Sequence, residues 1–311
     1  MLLLVVRLSR LAFIASSLSL VDGFNPTATS SQSLRPAYWF SFGDSYTQTG
    51  FNITTGPLPS PGNPLGNPAY PGDTATPGEN WIDVATTKSN HSLVLTFNFA
   101  FSGATVSRDI VPPYADFVRT LPDQIDELVA WDNGNTKRVW RSDDALFSIW
   151  IGINDIDLSY ASDVNHTALT DKLITRYFEQ VEDLYNLGAR NFLFINVPPL
   201  NRTPSLLGQP ASVRAKEAGI IAYYNAQLRE GVRAFRQRKR HQKRREVKTW
   251  EYDAYEAFTR VLDRPGEYGF NNVTGDDGTP GQFWYNWLHP VSAAQVIFGR
   301  EIGELLAGTP W

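Results

Sequence analysis

The stretch YWFSFGDSYTQTGFN, Tyr38 to Asn52, opens with aromatic and apolar residues and breaks off at Gly43, Asp44 and Ser45. Tyr38 to Phe42 has the composition of a strand buried on both faces. The following GDSYTQTG holds almost nothing that a core would take up. Similar short runs, rich in aromatic and β-branched residues, recur at Leu95 to Phe101, Ala145 to Ile151, Asn191 to Val197 and Val247 to Tyr252. With Ala37 to Phe42 they predict five strands. Amphipathic segments between and after them predict helices over Pro122 to Trp131, Ala168 to Leu187 closed by Gly188, Ala211 to Arg240 and Val291 to Leu306. Strand and helix in alternation imply an α/β fold, a parallel sheet with helices on both faces. Such sheets carry their sites at the carboxyl ends of the strands. Gly43, Asp44 and Ser45 therefore fall where a buried strand stops and a site begins.

The 311 residues are 42% hydrophobic and 19% charged, a balance that can bury a large core. A formal net charge of -4 gives no global attraction to nucleic acid or anionic membranes. Arg7 and Arg10 precede an uncharged run from Leu11 to Val21 and then small and polar residues, the pattern of a secretory signal ending near Gly23. That run is shorter than the about 20 residues a membrane-spanning helix needs. The expectation is a signal peptide over residues 1–23, one domain over 24–311, and a secreted protein without a stable membrane anchor. Five N-x-S/T triplets, at Asn52, Asn90, Asn165, Asn201 and Asn272, agree with that route and are candidate glycosylation sites. Cysteine is absent, which excludes disulfides, a thiolate nucleophile and cysteine-ligated metal. Thr54 to Glu79 is crowded with proline and glycine and reads as a long ordered loop beside the opening motif.

The other strand ends supply partners for Ser45. The second strand runs into Ser102 and Gly103, and the third into Gly152, Ile153, Asn154 and Asp155. In FWYNWLHPVSAAQ, His289 sits just before the last helix. A hydroxyl, a glycine amide, a side-chain amide and an imidazole are the components of acyl transfer: a nucleophile, oxyanion donors and a general base. Ser45 needs a turn that exposes its hydroxyl and leaves its own N–H free, and the residues after it are expected to begin a helix whose amino end favours negative charge.

FGDSYTQTG, SGATVS, IGIND and NWLHP, in this order and at suitable distances, resemble the four blocks of the SGNH or GDSL hydrolases. The resemblance covers Tyr38 to about Leu306. With the leader and the YPGDTATPGENWID segment, the chain is most similar to fungal acetyl esterases of carbohydrate esterase family sixteen. The resemblance implies a three-layer flavodoxin-like fold, Ser45 as nucleophile, Gly103 and Asn154 completing an oxyanion hole with the Ser45 amide, and His289 as base. It implies no metal or organic cofactor. An oligosaccharide or small-molecule ester is the expected partner, with no nucleic acid.

One position departs from the family pattern. Where an aspartate commonly stands three residues before the histidine, this chain has Asn286. A neutral amide accepts the imidazole N–H but does not stabilise imidazolium as a carboxylate does. Three readings stay open: a Ser-His pair oriented by Asn286 or a backbone carbonyl, a carboxylate from elsewhere such as Asp253, or an inactive, carbohydrate-binding relative. A lipase or phospholipid acyltransferase is the alternative within enzymes. Trp81, Trp284 and Trp287 lie near the motifs and are candidates to stack on sugar rings, although large aromatics are also core residues. The basic run RQRKRHQKRR, Arg236 to Arg245, reads as a solvated face, a proteolytic processing site or a polyanion patch.

Overall fold

A computed structural model describes residues 35–241 and 246–311. The expected signal segment and the last four residues of the basic run lie outside the described residues. Five strands form one parallel sheet: β1 (Ala37–Gly43), β2 (Val94–Asn98), β3 (Ala145–Trp150), β4 (Asn191–Ile195) and β5 (Lys248–Tyr252), in spatial order β2-β1-β3-β4-β5. This is the doubly wound order, which reverses direction beside β1 and opens a crevice at the carboxyl ends of β1 and β3. β1, β3 and β4 are sandwiched, and their aromatic residues stack across strands, as Phe40 does on Phe97 and Phe147.

Helices α1 (Trp81–Thr87) and α8 (Ser292–Leu305) pack together, while α2 (Leu121–Gly134), α4 (His166–Leu187) and α6 (Ala211–His241) form a second group, giving three layers. The remaining helices are α3 (Ile153–Ser159), α5 (Pro204–Leu207) and α7 (Ala254–Asp263). All five strands and four long helices expected from sequence are present, within a few residues at most ends. The helices α1, α3, α5 and α7 are additional. The Thr54 to Glu79 segment is irregular, and one of its carbonyls, on Pro64, accepts the Thr96 N–H on the outer side of edge strand β2.

The basic run is not uniformly solvated. Lys239 is buried, ion-paired to Glu182, and lies 3.8 Å from the centre of the Tyr185 ring. Its long stem and charge are used in packing α6 on α4.

The end of β1 is held by a buried amide. Gln124 of α2 accepts the Gly43 N–H at 2.9 Å and donates to the Gly43 carbonyl at 2.8 Å. Gly43 itself has φ 155°, and a Cβ there would lie 2.4 Å from the Trp150 carbonyl oxygen. Only glycine lets β1 and β3 end side by side. Replacing Gln124 with alanine orphans the buried Gly43 N–H, while the Gly43 carbonyl keeps the Phe101 N–H at 3.1 Å, so unfolding in urea is expected to show a loss of about 2 kcal/mol. A loss below about 1 kcal/mol would show that Gln124 does not hold the strand end.

Candidate active site

Past Gly43 the chain makes a single turn. Thr47 and Gln48 N–H groups both donate to the Asp44 carbonyl at 3.0 Å, and the Asp44 carboxylate accepts the Tyr46 N–H at 3.0 Å. No helix follows, contrary to the sequence expectation, because buried amides capture the next carbonyls. Asn80 donates to the Thr47 and Gln48 carbonyls, and Asn98 donates to that of Thr47. The turn leaves the Ser45 N–H without a protein partner among the described residues.

Ser45 and His289 meet across this turn, with Oγ 2.7 Å from Nε2. His289 Nδ1 is 3.0 Å from Asn286 Oδ1. The same oxygen accepts the Leu288 N–H at 3.0 Å and the His289 N–H at 2.8 Å. Backbone N–H groups only donate, so they fix which end of the Asn286 amide is oxygen. Nδ1 must then carry the imidazole proton, and Nε2 presents a lone pair to the Ser45 hydroxyl. Tyr46, fully buried, supports the histidine from behind. Its ring lies 5.5 Å from the imidazole and its hydroxyl donates to the Leu288 carbonyl at 2.7 Å.

Gly103 follows β2 with φ 80°, and its N–H has no protein partner among the described residues. A Cβ there would lie 2.1 Å from the Tyr114 ring, which covers this glycine. Asn154, in the first turn of α3, donates one amide proton to the Ala104 carbonyl at 2.9 Å and keeps a second. That bond ties the third block to the second. Asp155 beside it is fully buried and takes the Val106 N–H on both carboxylate oxygens, at 3.1 and 3.0 Å. The arrangement can move a proton from a serine hydroxyl to an imidazole while three N–H donors stand near the strand ends.

Several expectations need correction. Asp253 caps α7, accepting the Glu256 N–H and an Asn196 amide proton, and makes no hydrogen bond to His289. Trp81 and Trp284 are fully buried and offer no face to a sugar. Trp81 packs on Trp39 and Trp150, and Trp284 on Phe283 and Phe258. Trp287 is half exposed. Of the candidate glycosylation sites, Asn52 and Asn165 are exposed, and Asn90, Asn201 and Asn272 are partly buried. Sequence reasoning missed Gln124 and Gln48. Gln124 was findable as the polar residue on the buried face of α2, between Leu121, Ile125 and Leu128. Gln48, whose carbonyl oxygen takes the Ser102 N–H at 2.5 Å, carries no such signal. Among the described residues, no group of three or more His, Asp or Glu side chains is placed to hold a metal ion.

The sequence matches the family of GDSL-like lipases and acylhydrolases over residues 40–302. It is 38% identical to an acetylesterase of Thermothelomyces thermophilus over 279 residues, covering 87% of this chain and 85% of that one. An acetylesterase of Hypocrea jecorina is 22% identical, with 87% and 89% covered. Among solved structures, a catalytic variant of an acetylxylan esterase from Geobacillus stearothermophilus superposes with TM-score 0.51 at 14% identity, covering 87% and 94%. The chain belongs to the GDSL-like lipase and acylhydrolase family and is a carboxylic ester hydrolase.

Burial dominates the electrostatics. It pushes the His289 imidazole down to about 4, since the site holds no carboxylate hydrogen-bonded to the ring. It pushes the carboxyls of Asp44 and Asp83 up to about 7 and those of Asp155 and Glu217 up to about 8. A carboxyl raised in the folded state holds its proton where the unfolded chain has lost it, so stability falls as pH climbs from the ordinary carboxylate range to about 8. The depressed histidine acts oppositely, below its ordinary value, and one such group is outnumbered. Scanning calorimetry is expected to give a higher unfolding temperature at pH 5 than at pH 8; the reverse order would refute the burial of neutral acids.

The base form of His289 is lost only as pH falls through about 4, so kcat/KM is expected to hold its plateau well into mild acid. Asn286→Asp places a carboxylate on Nδ1 and stabilises imidazolium. Its acid limb should move up by at least one pH unit, and an unmoved limb would rule out the Asn286 contact as the determinant. Asn286→Ala should lower kcat about tenfold, less than the loss of a carboxylate costs a triad built around one.

Proposed function

We propose that this esterase removes acetyl groups from acetylated carbohydrates through an acyl-enzyme, and that it is secreted and glycosylated. The observation that carries the mechanism is the Ser45–His289–Asn286 chain of hydrogen bonds, with the histidine tautomer set by two backbone N–H groups. Ser45 Oγ adds to the ester carbonyl carbon while its proton passes to His289 Nε2. The amides of Ser45 and Gly103 and the side chain of Asn154 receive the developing oxyanion, each such donor being worth about 3 kcal/mol in the transition state. Collapse expels the sugar oxygen, which takes the proton from Nε2. Water, deprotonated by the same nitrogen, then adds to the acyl-enzyme and releases acetic acid and Ser45. Asn286 positions the imidazole without sharing its proton.

The acetyl preference is supported by the acetylesterase at 38% identity, the carbohydrate alcohol by the motif resemblance to carbohydrate esterases, and an extracellular route by the leader-like residues 1–23. No described helix is long and apolar enough to cross a membrane. The test is to express the full sequence in a secreting host and assay the purified enzyme on 4-nitrophenyl acetate and octanoate. Turnover of acetate in excess of octanoate, lost in Ser45→Ala with the fold retained, is expected, from a polypeptide whose amino terminus lies near residue 24. Preference for octanoate would favour a lipase, no turnover an inactive binder, and a start at Met1 would refute removal of the leader.

A further inference from the structure

A cleft of about 560 Å³ opens beside Gly103, and none of the residues assigned above to bond breaking fills it. Phe101, Tyr114 and Phe117 form one wall, and Gln48, Asn52, Asp73, Arg119 and Glu127 line the rest. Its volume falls within the range of sites that hold a small organic ligand, with room for more than one pyranose ring. The aromatic wall is unusual for a soluble protein. Tyr114 is 61% and Phe117 68% exposed, the most exposed large apolar side chains among the described residues.

These rings are nevertheless held in place. Tyr114 and Phe117 meet edge to face at 5.8 Å, Phe117 meets Phe101 at 6.5 Å, and the Arg119 guanidinium lies 4.8 Å from the centre of the Phe101 ring while paired with Glu127. Tyr114 also rests on Gly103, so the wall starts at the oxyanion glycine. The opposite side is tied to the nucleophile's turn. Gln48 takes the Ser102 N–H and donates to the Asp73 carbonyl at 3.1 Å, and the Asp73 carboxylate makes no hydrogen bond among the described residues.

Exposed aromatic faces opposite carboxylate and amide groups match a ligand with apolar faces and hydroxyl edges, which describes a sugar ring. An acyl chain would leave those polar groups facing hydrocarbon, at a cost in desolvation. We propose that this cleft is the subsite for the carbohydrate part of the ester, with Tyr114 and Phe117 stacking on sugar rings adjoining the acetylated one and Asp73 accepting from their hydroxyls. The assignment rests on the acetylated-carbohydrate reading above and adds where the polymer lies and which residues select it.

The experiment compares wild type, Phe117→Ala, Phe117→Tyr and Asp73→Asn on acetylated xylotriose, on ethyl acetate, which has no ring to stack, and on 4-nitrophenyl octanoate. For Phe117→Ala, KM for acetylated xylotriose should rise about tenfold with kcat little altered, the scale of one stacking contact, and the specificity ratio over ethyl acetate should fall accordingly. Phe117→Tyr should restore the ratio, and Asp73→Asn should lower it severalfold. A ratio unmoved by Phe117→Ala, or a loss confined to 4-nitrophenyl octanoate, would overturn the subsite. Calorimetric titration of xylotriose into Ser45→Ala, with and without Phe117→Ala, separates this from the catalytic reading. Binding weakened by Phe117→Ala supports the subsite even if the wild type proves inactive on acetylated sugar, and no binding overturns it.

Discussion

The site depends on how a buried strand end satisfies its backbone. β1 stops inside the protein, where a buried glutamine, Gln124, accepts the Gly43 N–H and donates to its carbonyl, which the Phe101 N–H also reaches. Leaving those groups unpaired would cost more than most surface interactions return. With Gly43 fixed, the next residues have to turn, and Asn80 and Asn98 take up the carbonyls of the turn from the other side. The N–H of Ser45 is thereby left free beside turn carbonyls that are already satisfied.

Much of this was legible in the sequence, for physical reasons. The sandwiched strands have to be apolar on both faces, so β1, β3 and β4 stood out as continuous runs, and α4 declared its end through Gly188. The strand ends carrying Ser45, Gly103, Asn154 and His289 were visible because polar residues abruptly follow such runs. Helix α1 was hidden because its first six residues are all buried, which removes the polar face that periodicity detects. Helix α7, by contrast, buries Ala254, Ala257, Phe258, Val261 and Leu262 at helical spacing behind an Asp253 cap, a pattern within reach of sequence alone. Trp81 and Trp284 show the limit of proximity arguments, since nearness to a motif in sequence does not decide which way a large ring faces. Gln48 and Tyr114 are matters of tertiary placement, and no local pattern announces them.

Acid groups in the interior follow one logic. Asp44, Asp155 and Glu217 are shielded from water and, among the described residues, meet no cation within hydrogen-bonding reach, so burial favours their protonated forms, and a neutral amide rather than a carboxylate stands behind the histidine. The surroundings of the nucleophile therefore carry little fixed negative charge in mild acid. An oxyanion forming there meets donors without a neighbouring anion to repel it.

The Asn286 oxygen binds the ring of His289 and the two N–H groups of the same short loop, so base and orienter form one self-contained piece. Tyr285 N–H also closes this loop on the His289 carbonyl at 2.8 Å. Tyr46, the residue after Ser45, ties this piece to the nucleophile's turn through its hydroxyl on the Leu288 carbonyl at 2.7 Å. Base and nucleophile are thus registered by neighbours in sequence, Asn286 and Leu288 on one side and Tyr46 on the other, rather than by the sheet itself.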